Sequence, residues 1–476
     1  MTSDQPTGRD QRIAANTPGE EVRLEGNRRY VRGEAGLAVF RPQWEQTGHI
    51  LTHWEAREAY GQPVIDEAME YGSAILRATP TSTQDALRTR REDLGLSART
   101  VGQVANLSAD QVCLAEDKPS KVSIRDLERI AFALGLDERF IAFKSDCGGD
   151  RDLGVRLKVL SQETGRTIRV NEHNVAIVSE AASVIRTQHR LQTWLRLSSG
   201  LDSFSKSPDY GSPQSPAWSV GYRLARSARA ILGLGEAPIP SMRELVEKRL
   251  GIPVIQAVMN RSIAGATVAN TDENGKEVRG IILNLEGDNE NVWVRRATLA
   301  HELAHLLYDP NDGLEKVRVD LYQNNQQNVE TYATTDYVEQ RANAFAIAFL
   351  APIEAMRQLA PTPVRAEDVE AVMSTFGISR TAAGYHIDNC HYRQFSIPEP
   401  SYDIRPADEQ TAAENFATDY FPLAGTPEQR RGKFAGLVAA AYERDYISEH
   451  TAALYLNGEA AEFMSVSDSL RDLFDL

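Results

Sequence analysis

Residues 295–310, RRATLAHELAHLLYDP, set two histidines four residues apart, with a glutamate directly after the first, inside an otherwise apolar run. At 3.6 residues per turn, positions i and i+4 stack on one helix face, so His301 and His305 project side by side with imidazoles able to share one ion. Glu302 lies about 100° round the helix from His301, close enough to act on water at such an ion without ligating it. Leu299, Ala300, Leu303, Ala304, Leu306 and Leu307 are apolar, which predicts a helix buried over most of its surface. Two imidazoles and a carboxylate in such a helix carry a large desolvation cost, and a shared metal is one way to offset it.

Hydrolytic zinc sites commonly take two histidines and one carboxylate and leave a fourth position to water. The best candidate for the third ligand is Glu339, in YVEQRANAFAIAFLAP, a run with apolar residues at helical spacing that ends at Pro352. Asp309, Glu315, Glu330 and Asp336 are rivals in the polar stretch 309–337. A buried helix orients a ligand better than a loop does, which favours Glu339. Tyr385, His386 and His391 are candidates for oxyanion or substrate contacts, with an ordinary structural role as the alternative for each.

At 476 residues the chain exceeds one core and should divide into three or four units of roughly 100–200 residues. Its 42% hydrophobic and 25% charged residues fit a soluble globular protein, and no apolar run approaches the ~18 residues a membrane span needs. The start, MTSDQPTGRDQRIAANTPGEE, lacks the apolar core of a secretory signal, so a cytoplasmic location is expected. Cys113, Cys147 and Cys390 are too few and too scattered for a disulfide framework or a cysteine-rich zinc site. The net charge of −15 argues against the whole chain being an electrostatic nucleic-acid binder.

Composition shifts suggest five regions: 1–80, an extension of unknown role; 81–145, a helical bundle; 146–216, a connector ending in a Ser/Pro-rich linker; 217–395, carrying HELAH; and 396–476, a helical tail. In the first, PVIDEAMEYGSAILRA reads as a helix, and Glu45, His49 and His53 recur at four-residue spacing in a segment better taken as ordinary amphipathic chain than as a ligand set. In the second, Ser97 and Ser108 stand where N-caps are wanted. In the fourth, GYRLARSARAILGLG and SMRELVEKRLGI read as helices, IPVIQAV as a strand, and SIAGATVAN and VRGIILNLE as a hairpin around TDENGKE. VRGIILN is expected to receive an extended substrate by edge pairing.

TLAHELAHLLYDP followed by EQRANAFAIAFLAP resembles the paired signature of the ImmA/IrrE metallopeptidases, and LGLGEAPIPSMRELVEKRLGIPVI and FGISRTAAGYHI are similar to that family's entry and closing segments. The resemblance covers about Trp218 to Arg393 and implies that His301, His305 and Glu339 hold a metal while Glu302 is the catalytic base. Zinc is the default for that donor set, with manganese or iron as alternatives. It further implies a protein substrate, typically a repressor-type regulator whose cleavage derepresses stress-response, prophage or mobile-element genes. The chain departs from the family in the long polar stretch between the two signature segments.

REDLGLSARTVGQVANLSADQVCLAEDKPSKVSIRDLERIAFALGLD resembles the helix-turn-helix domain of Xre-type phage repressors, with the recognition helix at about Ala109–Glu116. That implies DNA contacts from Arg99, Ala109, Asp110 and Gln111, and backbone contacts from Arg88, Arg90 and Arg91. The recognition segment offers Asp110, Gln111 and Glu116 but no Arg or Lys, and residues 85–143 hold nine Lys/Arg against ten Asp/Glu. Phosphate contacts supply much of the affinity for DNA, so a protein-docking or purely structural bundle stays open beside DNA binding.

The fold expected from all this is α+β and multidomain, mainly helical. A zincin-like peptidase domain packs a small antiparallel sheet on the HExxH helix, beside an all-α helix-turn-helix domain. Two other functions stay open: a transcription regulator whose peptidase-like domain senses a ligand or metal, and a member of a toxin–antitoxin or phage-defence pair.

Overall fold

The computed structural model describes residues 28–33, 36–43, 46–76, 83–141, 171–197, 200–204, 215–261, 263–271, 277–309, 318–321, 337–391, 398, 404–415 and 421–473. Among the described residues helices dominate, and two four-stranded sheets accompany them. Among the described residues, no helix is long and apolar enough to cross a membrane. The chain forms two compact units: Met1–Leu197 with Thr271–Val278 and Ala417–Leu476, and Ser198–Asn270 with Arg279–Phe416. The region 396–476 is therefore shared between them.

In the first unit, strands β1 (Arg29–Arg32), β2 (Gly36–Val39), β3 (His49–Thr52) and β4 (Ser73–Ile75) form an antiparallel sheet in the order β3-β1-β2-β4. Helices α1 (His53–Tyr60) and α2 (Gln62–Tyr71) join β3 to β4. The helix expected through PVIDEAMEYGSAILRA stops at Tyr71, because Gly72 takes a left-handed φ of 83° and turns the following residues into β4. His49 and His53 do not share a helix face: His49 lies in β3 and His53 opens α1. Glu45 lies outside the described residues.

Helices α3 (Thr83–Asp93), α4 (Ala98–Ala105), α5 (Ala109–Asp117) and α6 (Ile124–Ala133) make up the bundle. Ser97 and Ser108 cap α4 and α5, each accepting a backbone N–H from the residue three positions on. A buried ionic cluster ties this bundle to both sequence extremes. Arg32 donates to Glu128 at 2.7 Å and to the carbonyls of Glu138 and Ile141, while His49 contacts the other Glu128 oxygen and places Nε2 2.9 Å from Thr451 Oγ1. Helix α7 (Glu172–Trp194) is buried along most of its length, and its Glu180 pairs with the buried Arg430.

The second unit is built round three helices, α8 (Ala217–Ile231), α9 (Val292–Tyr308) and α10 (Tyr337–Leu350). Their shared core includes Leu224, Ala225, Leu299, Leu303, Phe345 and Phe349. Each of these leucine and phenylalanine side chains contributes about 1.5–3 kcal/mol when fully buried. Gly221 permits the closest approach in this core: a Cβ there would lie 2.4 Å from the carbonyl oxygen of Arg341 on α10.

Strands β5 (Val254–Ala257), β6 (Ile263–Thr271), β7 (Glu277–Asn284) and β8 (Arg318–Leu321) form this unit's sheet in the order β5-β7-β6-β8. The expected antiparallel sheet is in fact mixed. β6 and β8 run antiparallel, but β5 pairs parallel with β7, Val254 facing Ile281, because β6 is inserted in sequence between two strands that enter the sheet in the same direction. The TDENGKE turn lies outside the described residues. Helices α11 (Ile353–Leu359), α12 (Ala366–Phe376), α13 (Arg380–Cys390) and α14 (Asp408–Glu414) complete the unit.

Candidate metal centre

Helix α9 starts at Asn291, whose side chain accepts the Trp293 backbone N–H, and it is buried through the HELAH turn. His301, Glu302 and His305 are 6%, 1% and 1% exposed, so the segment carries three ionisable groups into the interior. Glu339 lies in the first turn of α10, and α9 packs along that helix. Its carboxylate oxygens sit 3.2 Å from His301 Nε2 and 3.7 Å from His305 Nε2. Among the described residues, these three form one group whose ligand atoms lie within 4.8 Å of one another.

The protons of the two rings are placed by their far sides. His301 Nδ1 faces Asn343 Oδ1 at 3.0 Å, and His305 Nδ1 faces Asp309 Oδ2 at 2.7 Å. Each neutral ring thus donates from Nδ1 and keeps its lone pair on Nε2. The two Nε2 atoms lie 2.9 Å apart, a distance at which two bare lone pairs repel and which a shared proton or metal ion relieves. Two imidazole nitrogens and a carboxylate fit zinc in number and kind.

Glu302 points towards β6. A Cβ added at Gly265 would meet Glu302 Oε1 at 3.0 Å, Ile282 O at 3.1 Å and Thr298 Cγ2 at 3.2 Å, so glycine at 265 leaves the space this carboxylate occupies. Asn289 pins strand to helix: its Nδ2 donates to Ala264 O at 2.8 Å, and its Oδ1 accepts from Thr298 Oγ1 at 3.0 Å.

VRGIILN is not an edge strand. It forms the body of β7, which β5 and β6 flank, and β5 pairs with its Ile281–Asn284 half. The outer side of β6 is paired too, with β8, where Gly265 faces Asp320 and Ala266 faces Val319.

The rival ligand Asp309 touches the far side of the His305 ring rather than Nε2. Glu315, Glu330 and Asp336 lie outside the described residues. His386 is buried, with Nδ1 on the Tyr222 hydroxyl at 2.9 Å and Nε2 on the Ala351 carbonyl at 2.7 Å. His391 Nε2 meets the Ala360 carbonyl at 2.9 Å, and Tyr385 is exposed. None of the three belongs to the ligand group.

Burial pushes the His386 imidazole down to about 4. A histidine kept neutral in the folded state stabilises it fully above pH 6.5, and that contribution is lost as the pH falls towards 4, where the unfolded chain takes up the proton first. The contribution is about 3 kcal/mol. In denaturation of the metal-free protein between pH 7 and 4, His386→Gln should remove about one proton from the uptake on unfolding. Identical slopes in the two proteins would contradict the assignment.

In the first unit, Asp110 and Gln111 are exposed on α5, with Ala109 half-buried, and Gln111 also accepts the Ser108 backbone N–H. Arg91 grips Glu116 at 2.6 and 2.8 Å, Arg90 donates to Leu134 O at 2.9 Å, and Arg88 donates to the Glu116 carbonyl, so these three arginines make contacts inside the bundle. Arg99 is exposed.

Gly265, Arg341 and Asn343 went unremarked as sequence. Asn343 had a readable signal, since it follows Glu339 by four residues and so shares its helix face. Gly265 had none, because its partner Glu302 is 37 residues away.

A search of curated proteins finds no match. Residues 279–388 match the family model described as the IrrE N-terminal-like domain, Peptidase_M78. The matched stretch runs from β7 into α13, contains His301, Glu302, His305 and Glu339, and lies wholly in the second unit. This part of the chain is thus similar to a metallopeptidase domain of the IrrE N-terminal-like kind.

Proposed function

We propose that the second unit is a zinc-dependent endopeptidase of zincin-like fold, with His301, His305 and Glu339 as ligands and Glu302 as general base. The observation that carries this reading is the facing pair of Nε2 atoms, 2.9 Å apart beside the Glu339 carboxylate, with both Nδ1 atoms held by oxygen acceptors. When bound, the ion supplies Lewis acidity towards a peptide carbonyl and towards water. Glu302 takes a proton from the attacking water as the new C–O bond forms. It then delivers that proton to the amide nitrogen as the C–N bond breaks, leaving a free carboxylate and amine.

By resemblance, the substrate is a repressor-type regulator, and its cleavage alters transcription. The helices of 81–145 would serve as a helix-turn-helix module, with Arg99 and the start of α5 as its DNA-facing side. The engagement of Arg88, Arg90 and Arg91 within the bundle leaves these cations less available for phosphate contacts, which weighs against tight DNA binding there. A sensor that does not cut has no use for a carboxylate as buried as Glu302, given the cost of desolvating it.

Plasma mass spectrometry on protein purified without added metal tests the site. About one equivalent is expected in the wild type and loss in both His301→Ala and Glu339→Ala. Absence of metal in the wild type, even after reconstitution with zinc or manganese, would overturn the proposal.

A further inference from the structure

We infer that Asp309, braced by Arg341, and Asn343 are positioning residues that fix the tautomer and orientation of the two imidazoles, and that they set the affinity for the metal; this rests on the metal site proposed above. Asp309 closes α9 four residues after His305 and holds that histidine twice. Its backbone N–H bonds the His305 carbonyl at 2.9 Å, and its carboxylate accepts from the ring at 2.7 Å. The other carboxylate oxygen is taken by the Arg341 guanidinium. The side chains of Asp309 and Arg341 are 5% and 8% exposed, so this pair is shielded from the water that weakens surface ion pairs.

The two histidines are held differently. His305 donates to a charged carboxylate and His301 to a neutral amide, Asn343 Oδ1, at 3.0 Å. A charge-assisted bond is about twice as strong as a neutral one, and a carboxylate behind an imidazole makes its far nitrogen a better donor to a cation. Arg341 neutralises part of that carboxylate's charge and holds its other oxygen. Arg341 and Asn343 both belong to α10, the helix that supplies Glu339. One helix therefore contributes a ligand, the outer partner of His301 and the guanidinium that braces the outer partner of His305, so its seating on α9 bears on the geometry of all three.

Zinc competition against a fluorescent chelator, with the absorption spectrum of the cobalt(II)-loaded protein as a second readout, tests this. Asp309→Ala is expected to weaken zinc binding about 10–100-fold and to shift the cobalt bands. Asp309→Asn, which keeps an accepting oxygen without the charge, is expected to fall between that variant and the wild type. Asn343 is exposed, so Asn343→Ala removes an acceptor with little cost to the fold; it should weaken binding about 10-fold, at the lower end of the same range. Thermal melting of the metal-free proteins separates these effects from unfolding. Wild-type affinity together with an unaltered cobalt spectrum, in either alanine variant, overturns the inference and leaves the metal site standing. Failure of the wild-type protein to bind zinc overturns both.

Discussion

Glu302→Gln is expected to give a protein that keeps its metal and loses peptide-bond cleavage by about 10²–10⁴-fold in kcat, the usual contribution of a positioned general base. The amide has nearly the shape of the carboxylate, so it fits the space that Gly265 leaves against β6 and does not disturb the packing of α9. It cannot accept the proton of the attacking water. The loss should therefore appear in turnover, with zinc content unchanged, because Glu302 is not among the three residues whose ligand atoms converge. Zinc-loaded wild type and variant, each incubated with a peptide library and read by mass spectrometry of the cleavage products, provide the comparison. Equal cleavage by the two would remove Glu302 from the reaction.

What the sequence made legible here is mostly local. His301, Glu302 and His305 lie within five residues, so helix periodicity alone places them, and the Ser97 and Ser108 caps follow from chemistry confined to one turn. Glu339 could be named because its helix is amphipathic and long enough to be core, although nothing local shows that α10 packs on α9. The strand order was beyond reach. A parallel β5–β7 pair with β6 between β7 and β8 depends on contacts across tens of residues, and it puts the expected edge strand in the middle of the sheet. The same limit hid the role of residues 29–60. Arg32 and His49 look like ordinary polar residues until Glu128, some 80–100 positions away, is set between them.

Glu414 shows how large a long-range effect can be. It ends α14, and its carboxylate accepts the backbone N–H groups of Met242 at 2.7 Å and Arg243 at 3.0 Å while pairing with the Arg296 guanidinium. Arg296 and Glu414 have side chains 2% and 3% exposed. Arg296 also donates to the carbonyls of Ile239 at 2.7 Å and Pro240 at 3.2 Å, and it lies on α9 five residues before His301. Glu414→Ala would leave a buried guanidinium without its counter-charge and the Met242 and Arg243 N–H groups, which open the short helix Met242–Glu244, without their acceptor. Removing one partner of a buried pair costs about 3–5 kcal/mol, which for a unit of this size lowers its melting temperature by about 10 °C. Replacing both charges, as in Arg296→Met with Glu414→Leu, should cost less than the single change, because no charge is then stranded in the core. Calorimetry of the three proteins makes the comparison. A Glu414→Ala protein melting with the wild type would mean that α14 does not brace the ligand helix. A double variant less stable than the single one would mean that the pair acts through its hydrogen bonds to Met242 and the carbonyls rather than through its charge.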